Sequence, residues 1–206
     1  SFPIKIFNSD GGEVEACGNG SRCIAYLLGE KNNSKSIKIK TNNRTLKAEI
    51  VGEHSVKLNM GKPLFNWEKI PLSKNLDYKK ISIEIDSKSF KDGFCVNVGN
   101  PHIIFFVKDC MSVDLKTLGP KIENHNFFPE RTNVTFAEIV ENNLIKVNVW
   151  ERGAGLTKAC GTAACATAMA AYKNEFVDNK VDIQFKEGLL KIEIDAEDNI
   201  FMTGPV

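Results

Sequence analysis

The sequence lacks the features of several specialised classes of protein. Its 206 residues carry a formal net charge of +1, with basic and acidic side chains interspersed. No basic stripe is present, so we expect no nucleic-acid partner. No apolar run reaches the length of a membrane span, so we expect no membrane partner either. The hydrophobic content of 42% is ordinary for a globular protein.

Cysteine is too sparse for a disulfide-stabilised scaffold. The six cysteines are Cys17, Cys23, Cys95, Cys110, Cys160 and Cys165. Their spacings do not match the short paired spacings of structural zinc sites, so no metal is expected. We therefore expect free thiols in a reducing cytoplasm. A disulfide between Cys17 and Cys160, should the two face each other, would be an oxidation product.

One segment of the chain occurs twice. Residues 6–18 read IFNSDGGEVEACG, and residues 149–161 read VWERGAGLTKACG. An alignment without gaps places Cys17 over Cys160, and each copy passes from a strand-like stretch through a Gly-containing loop to Ala-Cys-Gly. A duplicated module usually packs on its partner about a pseudo-two-fold axis. Two such modules would direct both cysteines at one small cavity from opposite sides.

The duplication extends past the cysteines into matching strands. Residues 35–50 align with residues 179–194, and both alternate apolar and polar side chains as half-buried strands do. Residues 55–63 are in turn similar in sequence to residues 199–206. A turn is expected at Glu187-Gly188. The offset is 143 positions at the cysteines and 144 further on, so one insertion or deletion relates the copies.

Helices are predicted directly after the two cysteines. Residues 19–29 and 161–173 are expected to be helical, and the second is rich in alanine, a strong helix former with a small side chain. Gly29 and Asn174 are expected to end these helices. A shorter helix is expected near residues 115–124.

The whole pattern predicts an α/β (α+β) fold of two pseudo-symmetric modules, each a mixed sheet wrapped around a central helix. The first module is expected to cover residues 1–59 and the second residues 60–206. The strands predicted in ISIEID, GFCVNVGN, HIIFFV and NVTFAEIV have no counterpart before Ser1. By symmetry, the second module is expected to be complete and the first to be the latter half of its unit, without an N-terminal part.

The residues around each cysteine favour acid–base chemistry beside a carboxylate. A chain that leaves a glycine-rich loop and enters a helix at Gly18 or Gly161 presents unpaired N–H groups, which bind carboxylates. The same helix end stabilises a thiolate, so a lowered cysteine pKa is expected. Inversion of a carbon centre needs a base on one face and an acid on the other, which a thiolate and a thiol supply. The alternative is that Cys17 and Cys160 both serve only as small, buried hydrophobic side chains.

On these residues the chain resembles the diaminopimelate epimerase family. The matching stretches, in the family's order, are FNSDGGEVEACGNGSRC, NMGKP, VGNPH, LGP, FPERTNV, ERGAGLTKACGTAAC and MTGP. The resemblance implies two α/β modules with the active site in the cleft between them. It also implies an isomerase that interconverts LL- and meso-2,6-diaminopimelate, for lysine and peptidoglycan precursor biosynthesis, without pyridoxal phosphate or another cofactor. Cys17 and Cys160 would be its two acid/bases.

The resemblance also implies a set of substrate contacts. The residues whose backbone amides would hold the reacting carboxylate are Gly18, Asn19, Gly161 and Thr162. The residues that would bind the distal carboxylate and its neighbouring amino group are Asn8, Asn100, Asn133, Glu151 and Arg152. His102, together with the carboxylate at position 151, would lie near the thiols and tune them.

Ordinary structural roles stay open for several of these residues. Asn8 and Asn133 would also suit turn caps, because loop asparagines often hydrogen-bond nearby backbone. Asn100 precedes a proline, a common arrangement in turns. Glu151 and Arg152 would also suit a surface ion pair of little energetic worth.

Two alternative functions stay open. The same scaffold would also serve to racemise or isomerise another acid, although Asn8, Asn133 and Arg152 argue for a distal carboxylate. The second alternative is a truncated, inactive homologue, because family members begin with a further segment. Leu156 and Ala163 stand where many members have Glu and Gly, but neither side chain is needed for the proton transfers. An exposed sheet edge in an incomplete module would favour association of two copies, so a homodimer stays open.

Overall fold

The protein is built mainly from strands, with helices at three places in the described part of the chain. A computed structural model describes residues 1–7, 13–14, 18–41 and 45–206, so Asn8 and Cys17 lie outside the described residues. The helices are α1 (Gly18–Asn32), α2 (Leu115–Glu123) and α3 (Gly161–Lys173). The strands are β1 (Phe2–Pro3), β2 (Ile6–Phe7), β3 (Glu13–Val14), β4 (Ser36–Lys40), β5 (Thr45–Gly52), β6 (Ser55–Gly61), β7 (Ile81–Ile85), β8 (Lys88–Asn97), β9 (Pro101–Phe106), β10 (Asn133–Glu141), β11 (Leu144–Glu151), β12 (Gly155–Leu156), β13 (Lys180–Phe185), β14 (Gly188–Ile194) and β15 (Ile200–Pro205).

Most of these strands form one mixed sheet. Within the described residues it has 13 strands in the order β1-β4-β5-β6-β15-β14-β13-β11-β10-β9-β8-β7, with β12 paired to β11. Strands β2 and β3 form a separate antiparallel pair. Three neighbouring pairs in the large sheet are parallel: β1 with β4, β9 with β10, and β11 with β13. The expected α/β (α+β) class with a mixed sheet is therefore confirmed.

The two copies of the repeat meet at strands β6 and β15. These strands pair antiparallel, and Leu58 lies opposite Met202, its own counterpart at the offset of 144. On either side of this pair, Lys57 lies opposite Thr203 and Asn59 lies opposite Phe201. At the same offset, Lys57 corresponds to Phe201 and Asn59 to Thr203, so each pair is the counterpart of the other. A pseudo-two-fold axis therefore passes between Leu58 and Met202.

The repeat is also visible at the strands that lead into the two Ala-Cys-Gly segments. Phe2 of β1 lies opposite Ile39 of the parallel strand β4, and Ile145 of β11 lies opposite Ile183 of the parallel strand β13. The sheet continues from one copy into the other through β6, which spans Ser55–Gly61. The division at residues 59 and 60 stays a prediction.

Helix α3 lies in the interior because its side chains are small. Every residue from Gly161 to Ala171 is buried, and the helix packs against β8, β9, β10, β13, β14 and β15. Helix α1 packs against β4, β5 and β6, and Leu27 on its opposite side is exposed. An alanine-rich helix lets the surrounding backbone approach closely, as the composition of residues 161–173 predicts.

Helix α1 continues past Gly29 to Asn32, so the expected helix end at Gly29 is wrong. Asn33 adopts a left-handed φ of 46°, and the N–H of Ser34 donates to the carbonyl of Gly29 at 3.0 Å. This is the Schellman geometry, with asparagine instead of glycine in the left-handed position. Glycine at position 29 serves packing instead, because a Cβ there would lie 2.1 Å from Cδ1 of Ile50.

The other predicted ends agree more closely with the structure. Helix α3 ends at Lys173 with Asn174 as its C-cap, as expected. The predicted turn at Glu187-Gly188 is displaced by one residue, because Phe185 pairs with Gly188 and the turn is formed by residues 186–187. Gly188 is thus the first residue of β14. The short helix expected near residues 115–124 is α2.

Helix α2 covers a second core on the other face of the sheet. It packs against β7, β10, β11 and β12, and its residues Leu115 and Ile122 are buried with Ile83, Phe105 and Phe136. This packing fixes the position of α2 relative to the end of β11. In the part of the chain that the structure describes, no helix is both long and apolar enough to cross a membrane.

Candidate active site

The N-termini of α1 and α3 meet at two glycines. A Cβ at Gly18 would lie 3.5 Å from Cα of Gly161 and 2.6 Å from Cε of Met202. A Cβ at Gly161 would lie 3.4 Å from Cα of Gly18 and 3.0 Å from Sδ of Met202. A Cβ at either position would contact the opposite glycine and would displace the end of the Met202 side chain. The glycine of each Ala-Cys-Gly segment therefore lets two helix N-termini converge beside the pseudo-two-fold axis.

The start of α3 presents backbone donors at this junction. Cys160 is the N-cap, with an extended backbone, and its carbonyl accepts the first helical hydrogen bond from the N–H of Ala164 at 3.0 Å. The N–H groups of Gly161, Thr162 and Ala163 precede that bond and have no acceptor within the helix. Such donors, with the positive end of the helix dipole, bind carboxylates.

The thiol of Cys160 is buried beside these donors. Its Sγ lies 3.4 Å from Oγ1 of Thr162. Burial raises the pKa of Cys160, and the nearby charge of Glu151 raises it further, while the Thr162 hydroxyl and the N–H of Ala163 act in the opposite direction. The expectation that the helix end lowers this pKa is therefore wrong, because burial and the Glu151 carboxylate outweigh it. The raised pKa favours the protonated thiol of Cys160.

His102 lies fully buried on β9. Its Nε2 is 2.8 Å from Oδ1 of Asn100, and its Nδ1 has no hydrogen-bond partner in the described part of the chain. Burial, followed by the charge of Arg152, lowers the pKa of His102 to about 3. The ring is therefore neutral, and an oxygen acceptor on the Nε2 side assigns the ring proton to Nε2.

Asn133 joins the strands that carry the other candidate residues. It lies opposite His102 in the register of β9 and β10. Its Nδ2 donates to the carbonyl of Pro101 at 2.8 Å, and its Oδ1 accepts from the N–H of Arg152 at 2.9 Å. These bonds fix the backbone at Arg152, and the expected contact of Asn133 with substrate stays a prediction.

Arg152 begins the turn after β11. Its Nη1 donates to the carbonyl of Glu130 at 3.0 Å, which engages one of the five N–H donors of the guanidinium. No ion pair joins Arg152 to Glu151, although the structure describes both residues. The two neighbours act on different groups: Glu151 on the thiol of Cys160, and Arg152 on His102.

The structure thus brings most of the described candidates into two adjoining groups. The group at the helix junction contains Gly18, Gly161, Cys160, Thr162 and Glu151. The group beside it contains Asn100, His102, Asn133 and Arg152. The adjacent positions 151 and 152 connect them. The side chain of Asn19 instead accepts from Nη2 of Arg22 at 3.1 Å.

Two buried charged residues next to these groups were not predicted from the sequence. Arg22 of α1 is buried and donates through Nε to the carbonyl of Pro205 at 3.3 Å. Glu123 of α2 is buried and contacts the turn that contains Arg152. A single sequence shows neither burial, because arginine and glutamate at these positions fit exposed helix faces equally well. The place of Arg22 within the GNGSRC stretch was the one available signal.

Comparison with known proteins identifies the family of this chain. A family model for diaminopimelate epimerase matches residues 1–65 and 94–206. The chain belongs to the diaminopimelate epimerase family. It is 54% identical to the diaminopimelate epimerase of Pelagibacter ubique, covering 98% of this chain and 75% of that protein. The diaminopimelate epimerase of Erythrobacter litoralis is 46% identical, covering 99% of this chain and 73% of its own length. The expectation of an isomerase of the epimerase class is confirmed.

Solved structures show the same fold at low sequence identity. A probable proline racemase from Agrobacterium radiobacter has a TM-score of 0.67 at 13% identity, covering 98% of this chain and 68% of its own. A predicted epimerase from Pseudomonas aeruginosa has a TM-score of 0.66 at 13% identity, covering 98% of this chain and 75% of its own. Identities this low establish a shared fold alone.

Proposed function

We propose that this chain interconverts LL- and meso-2,6-diaminopimelate with Cys17 and Cys160 as opposed acid and base. The observation that carries the proposal is the meeting of two helix N-termini at Gly18 and Gly161, with the buried thiol of Cys160 at one of them. Cys17 immediately precedes Gly18 in sequence. Family membership supports the substrate, and the duplicated Ala-Cys-Gly supports the pair.

The proposed reaction needs stabilisation of charge at the reacting carboxylate. When the α-proton leaves, negative charge moves onto the carboxylate oxygens. The N–H groups at Gly18 and Asn19 and at Gly161 and Thr162 would hold these oxygens through two helix ends. Preorganised donors of this kind are worth most in a site closed to water. The α-carbon would then lie between the two cysteine positions.

The proton movements follow from the resting state of Cys160. In the proposed forward step, a thiolate at Cys17 takes the α-proton from one face, and the thiol of Cys160 delivers its proton to the other. The C–H bond on one face is replaced by a C–H bond on the other, and the two cysteines exchange protonation states. In the reverse direction they exchange roles. The raised pKa of Cys160 supports its role as the acid.

The other end of the substrate would be recognised beside this junction. Arg152 offers guanidinium donors to the distal carboxylate, and the carbonyl of Glu130 and the amide of Asn133 fix its position. Glu151 would attract the neighbouring ammonium group. Asn100, through its contact with His102, would complete the pocket. Asn8 is proposed for the same pocket from its place in the repeated segment.

The proposed chemistry requires reduced thiols and no cofactor. Backbone amides, two thiols and charged side chains of this chain supply each acid, base and binding group named above. Within the described residues, Cys23, Cys95, Cys110 and Cys160 are free thiols. We therefore propose a reducing compartment, the cytoplasm, as the place where the protein acts. A homodimer stays a prediction.

Cysteine substitution tests the proposal directly. Purified protein is incubated with LL-diaminopimelate, and the meso isomer is measured by chiral chromatography. Loss of either acid/base is expected to lower kcat by about 10²- to 10⁴-fold, so Cys160→Ala and Cys17→Ala should both be nearly inactive.

Cys95→Ala is the matched control. Cys95 is a fully buried cysteine of β8 in the second core, so the variant removes a buried thiol in a different core from that of Cys160. It should keep most of the wild-type rate. Folded wild-type protein that forms no meso isomer would reject the proposed function for this chain. Substantial activity in Cys160→Ala would reject the role of that thiol.

A further inference from the structure

Glu123, at the C-terminal end of α2, is an acidic residue with 4% of its surface exposed. Its carboxylate accepts three hydrogen bonds. Oε2 accepts from Nε1 of Trp150 at 2.7 Å, and Oε1 accepts from the N–H of Gly153 at 3.0 Å and from Nη1 of Arg131 at 3.3 Å. An ionised carboxylate, which has acceptors and no donor, matches three converging donors.

Two of these donors enclose the residues proposed to act on substrate. Trp150 directly precedes Glu151 in the chain, and Gly153 directly follows Arg152. The turn between them is closed by a hydrogen bond of 3.1 Å from the N–H of Ala154 to the carbonyl of Glu151. Glu123 therefore binds the chain on both sides of the adjacent pair at positions 151 and 152.

The surface of α2 is shaped to receive the indole of Trp150. A Cβ at Gly119 would lie 2.4 Å from Cδ2 of the ring, so only glycine leaves room for it there. On the other side, a Cβ at Gly155 would lie 3.5 Å from the ring. Gly155 has a positive φ of 84°, as the tight turn into β12 requires. The indole is thus held between α2 and the turn, with its N–H on Glu123.

We propose that Glu123 is a positioning residue, which acts through Trp150 and Gly153 to hold Glu151 beside the thiol of Cys160. The inference rests on the proposed function for the roles of Glu151 and Cys160. Its geometric basis is separate: one buried carboxylate joins the end of β11 to the turn that follows it. Arg131, at the entrance to β10, supplies the cation that compensates the buried charge.

Glu123→Gln tests this assignment with minimal change in shape. The amide replaces one acceptor oxygen with an N–H₂ group, which must face at least one of the three donors. Glu84→Gln, at an exposed position of β7, is the matched control. The chain has two tryptophans, so the indole N–H signals of a nitrogen-15-labelled sample are assigned with Trp67→Phe. The Trp150 signal should shift in Glu123→Gln and not in Glu84→Gln.

Reactivity of Cys160 reports the position of Glu151 without any need for turnover. If Glu123→Gln releases the turn, Glu151 moves away, the thiolate fraction of Cys160 rises, and its alkylation by iodoacetamide accelerates. We expect an increase of about threefold or more at about pH 8, measured by peptide mass spectrometry. We also expect kcat/KM for diaminopimelate to fall about tenfold or more.

Trp150→Phe keeps the test valid if Glu123→Gln does not fold. It removes the indole N–H together with part of the ring that packs on α2, and it should raise the Cys160 alkylation rate in the same direction. In the double variant, the amide at position 123 no longer faces an indole N–H. The effects of the two substitutions on the Cys160 alkylation rate should therefore be non-additive. A wild-type alkylation rate in the folded single variants overturns the proposal. Faster alkylation in a protein whose wild type has no epimerase activity supports the positioning role and rejects the proposed function instead.

Discussion

Cys160 and His102 are both uncharged in the folded protein because both are buried. Burial raises the pKa of the thiol, and it lowers the pKa of the imidazole to about 3. The sequence allowed the position of Cys160 at a helix N-terminus to be predicted, since Ala-Cys-Gly precedes a helix-forming run. It did not allow the direction of the pKa shift to be predicted, because burial and the approach of Glu151 depend on tertiary packing.

The pKa of His102 predicts an acid-dependent loss of stability. Its value falls from 6.5 to about 3 on folding, so its favourable contribution is complete above about pH 6.5 and is lost as the pH falls towards 3. Relative to His102→Gln, wild type should lose up to about 1.4 kcal/mol of unfolding free energy per pH unit in that window. Urea titrations at several pH values measure the difference.

His54→Gln serves as the control for this prediction, because His54 is exposed. The pH dependence measured for this exposed histidine is the baseline against which the His102→Gln result is compared. A difference between wild type and His102→Gln that stays constant from neutral to acid pH would show that His102 titrates normally in the folded state.

At the scale of elements, the sequence predicted which segments are helices and strands better than where they end. Helices α1, α2 and α3 were all expected, because apolar periodicity and alanine content are local signals. The end of α1 was misplaced, because the glycine at position 29 was interpreted as a cap. Its actual role depends on Ile50 of β5, which is distant in sequence, and the cap is formed by Asn33.

Gly29→Ala tests this interpretation of α1. Alanine favours a helix by about 1 kcal/mol over glycine, so local propensity alone predicts stabilisation. We expect destabilisation by about 1–3 kcal/mol instead, because the added Cβ would overlap Cδ1 of Ile50 and lie 2.8 Å from the carbonyl of Ser34. Thermal and urea unfolding measure the sign.

Gly188→Ala is the matched control, because a Cβ there would meet nothing within 4 Å. It should be close to neutral. Ile50→Val removes Cδ1, so it should recover part of the loss when combined with Gly29→Ala. A net gain of stability in Gly29→Ala alone would show that the helix moves away from β5 at no cost.

At the scale of the whole molecule, the duplication explains both the sheet and the site. The constant offset between copies predicted equivalent strands, and the pairing of Leu58 with Met202 shows that equivalent positions meet on the axis. The same axis brings Gly18 to Gly161. The sequence could not show that β6 and β15 join the copies into one sheet, or that α2 reaches the turn beside Arg152, because neither contact leaves a local pattern.

In the proposed mechanism, two opposed groups, one from each copy, act on a single α-carbon. The most direct test is the isotope at that carbon after limited turnover of LL-diaminopimelate in deuterated water. With two acid/bases, the proton removed on one face is not the one delivered on the other. At low conversion, the meso product should therefore carry solvent deuterium at the inverted centre, and the remaining substrate should keep its proton. Product that retains the original proton, or deuterium that enters unreacted substrate as fast as product forms, would contradict the account.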